Sequence, residues 1–213
     1  MIERESQKSK LMTSQHFDSI VKQLGLLLTR ENATASIEDR KTQTRRIDNG
    51  TNRYGQAGDL LYLQEPTQVL DLSKPKIGSE PYAVATVRYR DDEELEKPIS
   101  IHDYNRLLDR KDWKRQASSR FMLKSFARHW FENLGVRKEY LQDCSEADAI
   151  AEGIDLQNYR DGLCSFRNYF NMNFGLSAID SYKTLWDLIN GKKYPWESNP
   201  LVRVISYKRV VEP

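Results

Sequence analysis

The segment “NRYGQAGDLLYLQEP”, residues 52–66, has the strongest strand signal in the chain and decides the fold class. Gly55 and Gly58 mark a turn, because glycine tolerates the backbone conformations that turns require. The apolar run 60–63 follows at once, and Pro66 ends it. A short apolar run bounded by turn and breaker residues is typical of a strand packed in a sheet-based core.

Other strand patterns lie on both sides of this segment. They are “GLLLT” (25–29), “YAVATVRYR” (82–90) and “LVRVISYKRVVE” (201–212). The segment “ARHWFENLGVRKEYL” (127–141) is either strand-like or irregular. The alternation of apolar and polar residues in 82–90 and 201–212 predicts strands with one buried face.

Helical patterns separate these strands. They are “RENATASIEDR” (30–40), “CSEADAIAEGI” (144–154) and “SAIDSYKTLWDLING” (177–191). Asn32 is a plausible N-cap of the first helix. In the second, Ser145 and Asp148 form a capping-box pattern and Gly153 is a typical stop. The third has apolar residues at three- and four-residue steps, as in an amphipathic helix.

Short strands interrupted by single helices predict an α+β fold with a strand-rich core that could be a small barrel. Residues 1–15 are polar and are expected to be frayed, which leaves a single domain over 16–213. An insert at about 67–118 has little apolar periodicity and is expected at the periphery. Within it, “DDEELEKPIS” (91–100) is typical of a solvated acidic loop.

The composition narrows the function. A net charge of +2 over 213 residues creates no global attraction to nucleic acid or membrane, so an anion site has to be a local patch. Cys144 and Cys164 lack metal-ligand spacing, and we expect free thiols with neither a metal nor a cofactor. No apolar run reaches membrane-spanning length and the N-terminus lacks a signal-peptide core, which predicts a cytoplasmic protein with no membrane partner.

The densest cluster of cations is “RKTQTRR” (40–46), which contains two threonines and nothing apolar. Lys41 and Thr44 are three residues apart, so their side chains can point the same way in a turn. Neighbouring arginines disfavour the charged form of Lys41, which lowers its pKa and makes it a conceivable general base for a Thr44 nucleophile. The alternative is an exposed phosphate-binding patch that uses the rest of the cluster: Arg40, Thr42, Arg45 and Arg46.

Two carboxylates are candidates for a site. Glu152 lies in the last turn of the helix expected over 144–154, where the helix dipole opposes a negative charge by roughly 0.3–1 kcal/mol. Such a position raises the pKa of a carboxyl and suits a proton carrier, and a salt-bridged glutamate is the alternative. Glu65 ends the strand of residues 52–66 and is either a substrate ligand or the partner of a nearby cation.

A second basic stretch, residues 110–128, has seven cations against one acid and is interleaved with Trp113, Phe121 and Phe126. Cations that hold phosphates and rings that stack on bases are typical of nucleic-acid binding. A charged connection with core aromatics is the alternative. The candidate phosphate-binding residues are Lys114, Arg115, Arg120, Lys124 and Arg128.

Six blocks of sequence resemble the ASCH-domain family, the activating signal cointegrator homology domains, and in particular its long bacteriophage and prophage form. The blocks are “RKTQTRR” (40–46), “GDLLYLQEP” (58–66), “RFMLKSFARHW” (120–130), “EYLQDCSEADAIAEGI” (139–154), “LWDLINGK” (185–192) and “NPLVRVISYKRV” (199–210). The resemblance extends from about residue 26 to the C-terminus and is weakest over 67–118.

The resemblance implies a PUA-like fold, which is a small, mostly antiparallel β-barrel with flanking helices and a cleft that binds RNA or nucleotides. One branch of the family hydrolyses N4-acetylated cytidine with a lysine, a threonine three residues later and a distant glutamate. These residues match Lys41, Thr44 and Glu152. The resemblance thus implies RNA, DNA or a modified nucleoside as partner, in the host cytoplasm if the protein is phage-encoded. A non-catalytic nucleic-acid-binding module and an adaptor for a host protein are the alternatives.

Overall fold

The computed structural model describes residues 21–74, 82–158 and 164–213, so the predicted frayed segment 1–15 lies outside the described residues. The strands of its main sheet are β1 (Gln23–Leu27), β2 (Gln43–Ile47), β3 (Leu60–Gln64), β7 (Trp130–Tyr140) and β11 (Leu201–Val210). Their order is β1-β3-β7-β11-β2. The first pair is parallel and the other pairs are antiparallel.

This sheet is open along the described part of the chain, because β1 and β2 are its two edges and do not pair with each other. The mixture of helices and strands confirms the α+β class. The described strands do not close into a barrel. A side chain spans part of the gap, since Arg46 Nη2 donates to the carbonyl oxygen of Leu27 at 2.7 Å.

The segment predicted as an insert contains a second antiparallel sheet and a helix. These elements are β4 (Thr67–Ser73), β5 (Tyr82–Tyr89), β6 (Glu94–Ser100) and α2 (Ile101–Leu108), with β5 in the centre of the sheet. Val69, Val87 and Ile99 of this sheet form one hydrophobic core with Trp130 of the main sheet. The insert thus packs against the main sheet through a shared core.

The interpretation of residues 91–100 as an acidic loop is wrong, because Glu94–Ser100 is strand β6. Charged residues at its outward positions mask the alternating apolar pattern of a strand, whereas Lys97 and Ile99 are buried. Lys97 Nζ donates to the carbonyl oxygen of Ala127 at 2.9 Å and pairs with Glu212 Oε2 at 3.1 Å, and together these contacts compensate the buried ammonium group. Pro98 is compatible with the strand because β6 lies at an edge of its sheet.

Within the described residues, three further α-helices and a third, smaller sheet flank the main sheet. They are the helices α1 (Arg30–Ile37), α3 (Glu146–Ala151) and α4 (Ala178–Asn190), and the strands β8 (Leu156–Asn158), β9 (Cys164–Arg167) and β10 (Phe174–Leu176). Those three strands form a small sheet in the order β10-β9-β8. None of the helices within the described ranges has the length and apolarity needed to cross a bilayer.

The helix ends confirm one predicted cap and correct another. Ser145 and Asp148 form the predicted capping box at the start of α3. Asn32 is not the cap of α1, because the Thr29 hydroxyl takes that position and accepts from the backbone N–H of Asn32. Asn32 therefore lies inside the helix, and its side chain does not cap the helix N-terminus.

The two faces of the main sheet carry separate cores. Ile205 and Tyr207 of β11 face Ala33 and Ile37 of α1. On the opposite face, Val202 and Val204 pack with residues of α3 and α4, which include Ala149 and Trp186. Because β2 is the edge strand between these two layers, its side chains lie where α1 and α4 approach the sheet.

Candidate active site at the edge of the main sheet

Lys41 lies in the turn between α1 and β2, and backbone hydrogen bonds fix its position. Its N–H donates to the carbonyl oxygen of Ala35 at 2.9 Å. Lys41 also forms an antiparallel bridge with Glu152, next to a 2.9 Å hydrogen bond from the Thr42 N–H to the Ala151 carbonyl oxygen. The end of α3 is therefore attached to the beginning of β2, although the two segments are far apart in the sequence.

The bridge brings Lys41 and Glu152 together as a buried ion pair. Lys41 is 2% exposed and Glu152 is 3% exposed. Lys41 Nζ donates to Glu152 Oε2 at 2.5 Å and to the Glu152 carbonyl oxygen at 2.8 Å. Arg45 Nη1 donates to Glu152 Oε1 at 3.1 Å, so one carboxylate pairs with two cations. Charges this deep in a protein persist when they are paired and hydrogen-bonded, as they are here.

Burial lowers the pKa of Lys41 below its ordinary value of 10.5. The attraction to Glu152 acts in the opposite direction, and repulsion by Arg46 and Arg45 lowers the pKa further. The predicted direction of the shift is confirmed, but its largest cause is loss of water and not the neighbouring arginines. Lys41 is thus closer to the neutral amine than an exposed lysine is.

Arg45 orients Glu152 from the other side. Its side chain is completely buried, with Nη2 at 2.6 Å from Glu139 Oε1 and at 3.5 Å from Asp148 Oδ2. The guanidinium carbon lies 5.7 Å from the centre of the Tyr182 ring. The Arg45 guanidinium group is buried and already paired with carboxylates, so it positions Glu152 and is not available to bind the phosphate of a ligand.

Thr44 faces away from Arg45, because the two residues pair with Ile205 and Val204, which belong to opposite cores. Thr44 is 2% exposed, and its hydroxyl makes no hydrogen bond with any residue of the described ranges. It lines a small cavity of about 20 Å³ together with Glu152. The predicted nucleophile and the predicted acid therefore border the same space, and Lys41 is bonded to the acid.

A larger cavity of about 520 Å³ lies next to this small one, between α1 and α4. The two cavities share Asn32, Leu185 and Ile189 as lining residues, which makes them parts of one cleft. Its volume is in the range that small-molecule sites occupy. Its wall is mixed. Leu188 and Met172 are exposed apolar side chains, and the polar lining residues include Arg30, Arg40, Asp155, Arg167 and Tyr169.

The rest of the basic cluster is dispersed around this cleft. Arg40 lines the large cavity and forms a 2.8 Å ion pair with Glu38. Arg46 lines the small cavity. Thr42 is exposed and lines neither of them. The cluster is therefore not one continuous patch, since its members divide between the pair, the two cavities and the surface.

Glu65 lines neither of these two cavities and is the partner of a cation, which is one of the two alternatives predicted for it. Arg128 Nη2 lies 2.8 Å from Glu65 Oε1, and the same guanidinium pairs with Asp91 and Glu93. Arg128 also stacks on Tyr89, at 4.2 Å from the ring centre. Glu65 and Arg128 line a neighbouring cavity of about 160 Å³, which shares Thr29, Arg30 and Thr34 with the large one. With three carboxylates around it, Arg128 has little capacity left for a phosphate.

The other residues of the second basic stretch are accessible. Phe121 is 65% exposed, and the exposed cations near it in sequence are Lys114, Arg115, Arg120 and Lys124. Trp113 is half-buried against the second-sheet core, with Lys114 Nζ at 5.0 Å from its ring centre. This surface combines free cations with an exposed ring.

Sequence reasoning missed three residues of the cleft: Asn32, Arg167 and Tyr169. Asn32 was predicted as a helix cap, and Arg167 and Tyr169 lie in a segment without a clear pattern. No group of three or more His, Cys, Asp or Glu side chains that could hold a metal ion occurs in the described ranges. Comparisons of the chain with protein-family models, with curated proteins and with solved structures find no match.

Proposed function

We propose that this chain is an ASCH-like protein that binds a modified nucleoside in the cleft between α1 and α4 and removes an N4-acyl group from cytidine. One observation carries the proposal. Glu152, which is paired with the buried Lys41, lines a small cavity together with Thr44, whose hydroxyl is unbonded, and this cavity adjoins one of about 520 Å³. A nucleophile, a proton acceptor and a proton donor are the groups that amide hydrolysis requires.

The reaction begins with the single proton that Lys41 and Glu152 share. When this proton is on Glu152, the neutral Lys41 amine accepts the hydroxyl proton of Thr44, whose oxygen attacks the acyl carbon. The carbon–nitrogen bond breaks as Glu152 protonates N4, which releases cytidine and leaves an ester on Thr44. The proton on Lys41 then passes to Glu152 across their hydrogen bond, which restores the neutral amine. Water attacks the ester, and Lys41 takes the water proton and returns it to the Thr44 oxygen as the carboxylic acid leaves. Arg46, which lines the small cavity, supplies positive charge for the oxyanion.

The direct test is incubation with N4-acetylcytidine followed by chromatography for cytidine and acetate. Lys41→Met, Thr44→Val and Glu152→Gln should each lower the rate by about 10²–10⁴-fold, the usual contribution of acid–base groups. Lys208→Met, at an exposed lysine paired with Glu132, is the matched control and should keep the full rate. The rate should fall as the pH rises through the lowered pKa of Lys41, because the pair then loses the proton that Glu152 must donate. Unchanged substrate at high protein concentration, or full turnover by Thr44→Val, would reject the proposal.

A non-catalytic nucleic-acid-binding module is the second candidate, and the exposed surface around Phe121 favours it. In that case RNA or DNA binds without turnover, and affinity falls steeply as salt rises. Replacing Lys114, Arg115, Arg120 and Lys124 by alanine should make the salt dependence shallower. Arg88→Ala, which removes an exposed cation from the second sheet, is the control and should not. Equal salt dependence in the two variants would contradict this candidate.

A further inference from the structure

Asn32 is a polar side chain without a partner at the centre of the cleft. It is 9% exposed, and its carboxamide makes no hydrogen bond with a residue of the described ranges. The hydrogen bonds of Asn32 all involve its backbone: its N–H donates to the Thr29 hydroxyl, and its carbonyl oxygen accepts from Ser36 Oγ at 2.9 Å. The donor and the acceptor of the carboxamide are therefore free for solvent or for a ligand in the cleft.

Asn32 lies at the junction of the two cavities. It lines both the large and the small cavity, so it lies where a ligand passes from the first to the second. Its carboxamide atoms are not among the buried polar atoms that are sealed from solvent without a partner. A carboxamide in this position offers one donor and one acceptor side by side to whatever occupies the cleft.

We propose that Asn32 recognises the base, which rests on the proposed function of the cleft. An N4-acylated cytosine presents the N4–H donor next to the N3 acceptor. Asn32 Oδ1 accepts from N4–H and Nδ2 donates to N3, in the same two-bond arrangement that Asn and Gln make with adenine in DNA. The ligand class is therefore a 4-acylamino pyrimidine nucleoside, held with its acyl group toward Thr44 and its sugar in the large cavity.

This assignment predicts selectivity for the ring and not for the amide. An amide such as N-phenylacetamide has an N–H but no ring acceptor beside it, so it can make only one of the two hydrogen bonds. A site that hydrogen-bonds its ligand discriminates strongly against an analogue that lacks the matching group. N-phenylacetamide should therefore bind weakly, and substitution of Asn32 should weaken its binding less than it weakens the binding of N4-acetylcytidine.

The test measures binding of N4-acetylcytidine by calorimetry in a Thr44→Val parent, which cannot form the ester. Adding Asn32→Leu or Asn32→Asp should weaken binding by about tenfold to a hundredfold, the loss expected for a two-bond base contact. Asn105→Asp, at an exposed asparagine of α2, is the matched control and should leave binding unchanged. Thermal unfolding of Asn32→Leu should occur at the same or a higher temperature, because the replaced group has no partner to lose.

The outcomes separate this inference from the enzyme proposal. If binding depends on Asn32 but the unmodified chain does not hydrolyse the substrate, the inference is supported and the enzyme proposal is rejected. Equal affinity in the parent and both Asn32 variants overturns the inference even if the unmodified chain hydrolyses the substrate. Weaker binding together with a lowered unfolding temperature in both variants indicates a structural role and also overturns it. If the parent binds no N4-acetylcytidine, both proposals are rejected.

Discussion

At the scale of single residues, Gly153 controls how closely α3 approaches β2. Its φ is +80°, a conformation that residues with a Cβ rarely adopt. A Cβ added here would lie 2.6 Å from the Cβ of Lys41 and 3.1 Å from the Cβ of Ala35. Any other residue must therefore displace the Lys41 backbone, to which the pair with Glu152 is attached.

Gly153→Ala should accordingly destabilise the protein more than the same change at Gly58. Gly58 also has a positive φ, +87°, but nothing lies within 4 Å of an added Cβ, so its cost is the backbone strain of about 1–2 kcal/mol. Gly153→Ala should add about 1–3 kcal/mol of overpacking to that strain. Urea unfolding of both variants measures the difference. Equal costs would mean that Lys41 can move away freely.

The buried pair should respond differently to the loss of each partner. Glu152→Gln leaves the Lys41 ammonium group buried without a carboxylate and should cost about 3–5 kcal/mol. Lys41→Met should cost less, because Glu152 keeps its hydrogen bond from Arg45. Urea unfolding measures both costs. Glu38→Gln is the control at an exposed ion pair and should cost less than about 1 kcal/mol. A loss at Glu38 as large as at Glu152 would contradict this account of the site.

The sequence allowed Lys41, Thr44 and Glu152 to be proposed as one site, but it did not distinguish among the arginines. Arg45 and Arg46 are adjacent and chemically identical in the sequence. They differ in the fold because strand alternation directs Arg45 to Glu139 and Asp148, which come from other elements. Arg128 is likewise neutralised by distant carboxylates. Which cation stays free depends on such long-range partners, and local patterns do not contain them.

At the scale of elements, α3 holds Glu152 in place through its own first turn. Asp148 accepts from the Ser145 hydroxyl at 2.8 Å and pairs with Arg137 at 2.8 Å. Partial burial acts to raise the pKa of Asp148, but hydrogen bonds from Ser145 and Arg137 outweigh it and hold the pKa at about 2. The carboxylate form of Asp148 is thus tied to the folded state of this short helix.

Asp148→Asn should cost roughly 1 kcal/mol at neutral pH, as the loss of a helix-capping group does. The folded pKa of Asp148 is about 2 and the unfolded value is 3.8, so its contribution is complete above 3.8 and is lost as the pH falls toward 2. The gap in unfolding free energy between Asp148→Asn and the unmodified chain should therefore narrow across that window. Urea unfolding at several pH values measures it, with the exposed Asp112→Asn as control. A gap that is constant with pH would contradict the linkage.

The elements that could be predicted are those whose pattern is local. The capping box of α3, the apolar steps of α4 and the alternation of β11 all have local signals, and the structure confirms each element. β6 was missed because charges occupy its outward positions and an inward one, Lys97. The cap of α1 was misassigned because Thr29 and Asn32 are both capable caps, and the choice between them depends on where the helix meets its neighbours.

At the scale of the whole molecule, the second sheet and the main sheet share a core that includes Val87 and Trp130. The two sheets should therefore unfold in one cooperative transition. Val87→Ala should lower the free energy of unfolding by about 1–3 kcal/mol, through lost burial and a residual cavity. Tryptophan fluorescence and far-ultraviolet circular dichroism should report the same shifted midpoint. The exposed Val211→Ala is the control, and separate midpoints would show independent units.

The strand order is the part of the fold that the sequence did not predict. Strands could be recognised one at a time, but the order β1-β3-β7-β11-β2 joins segments far apart in the chain. Whether such a sheet closes depends on twist and on what covers its edges, and neither property has a local pattern. In the described part of the chain the gap remains between β1 and β2, where Arg46 makes its contact with Leu27.

The position of β11 between β7 and β2 determines how late in protein synthesis the site can assemble. A nascent chain that has reached residue 199 contains Lys41, Thr44 and Glu152, yet β2 still has no described strand beside it. The lysine then stays hydrated, with an ordinary amine that is a poor base at neutral pH. The pocket can assemble only after β11 has been synthesised, so a stalled or prematurely terminated product should lack it. Translation arrest at residue 199, followed by limited proteolysis of the tethered chain, should find the segment 41–47 open to cleavage.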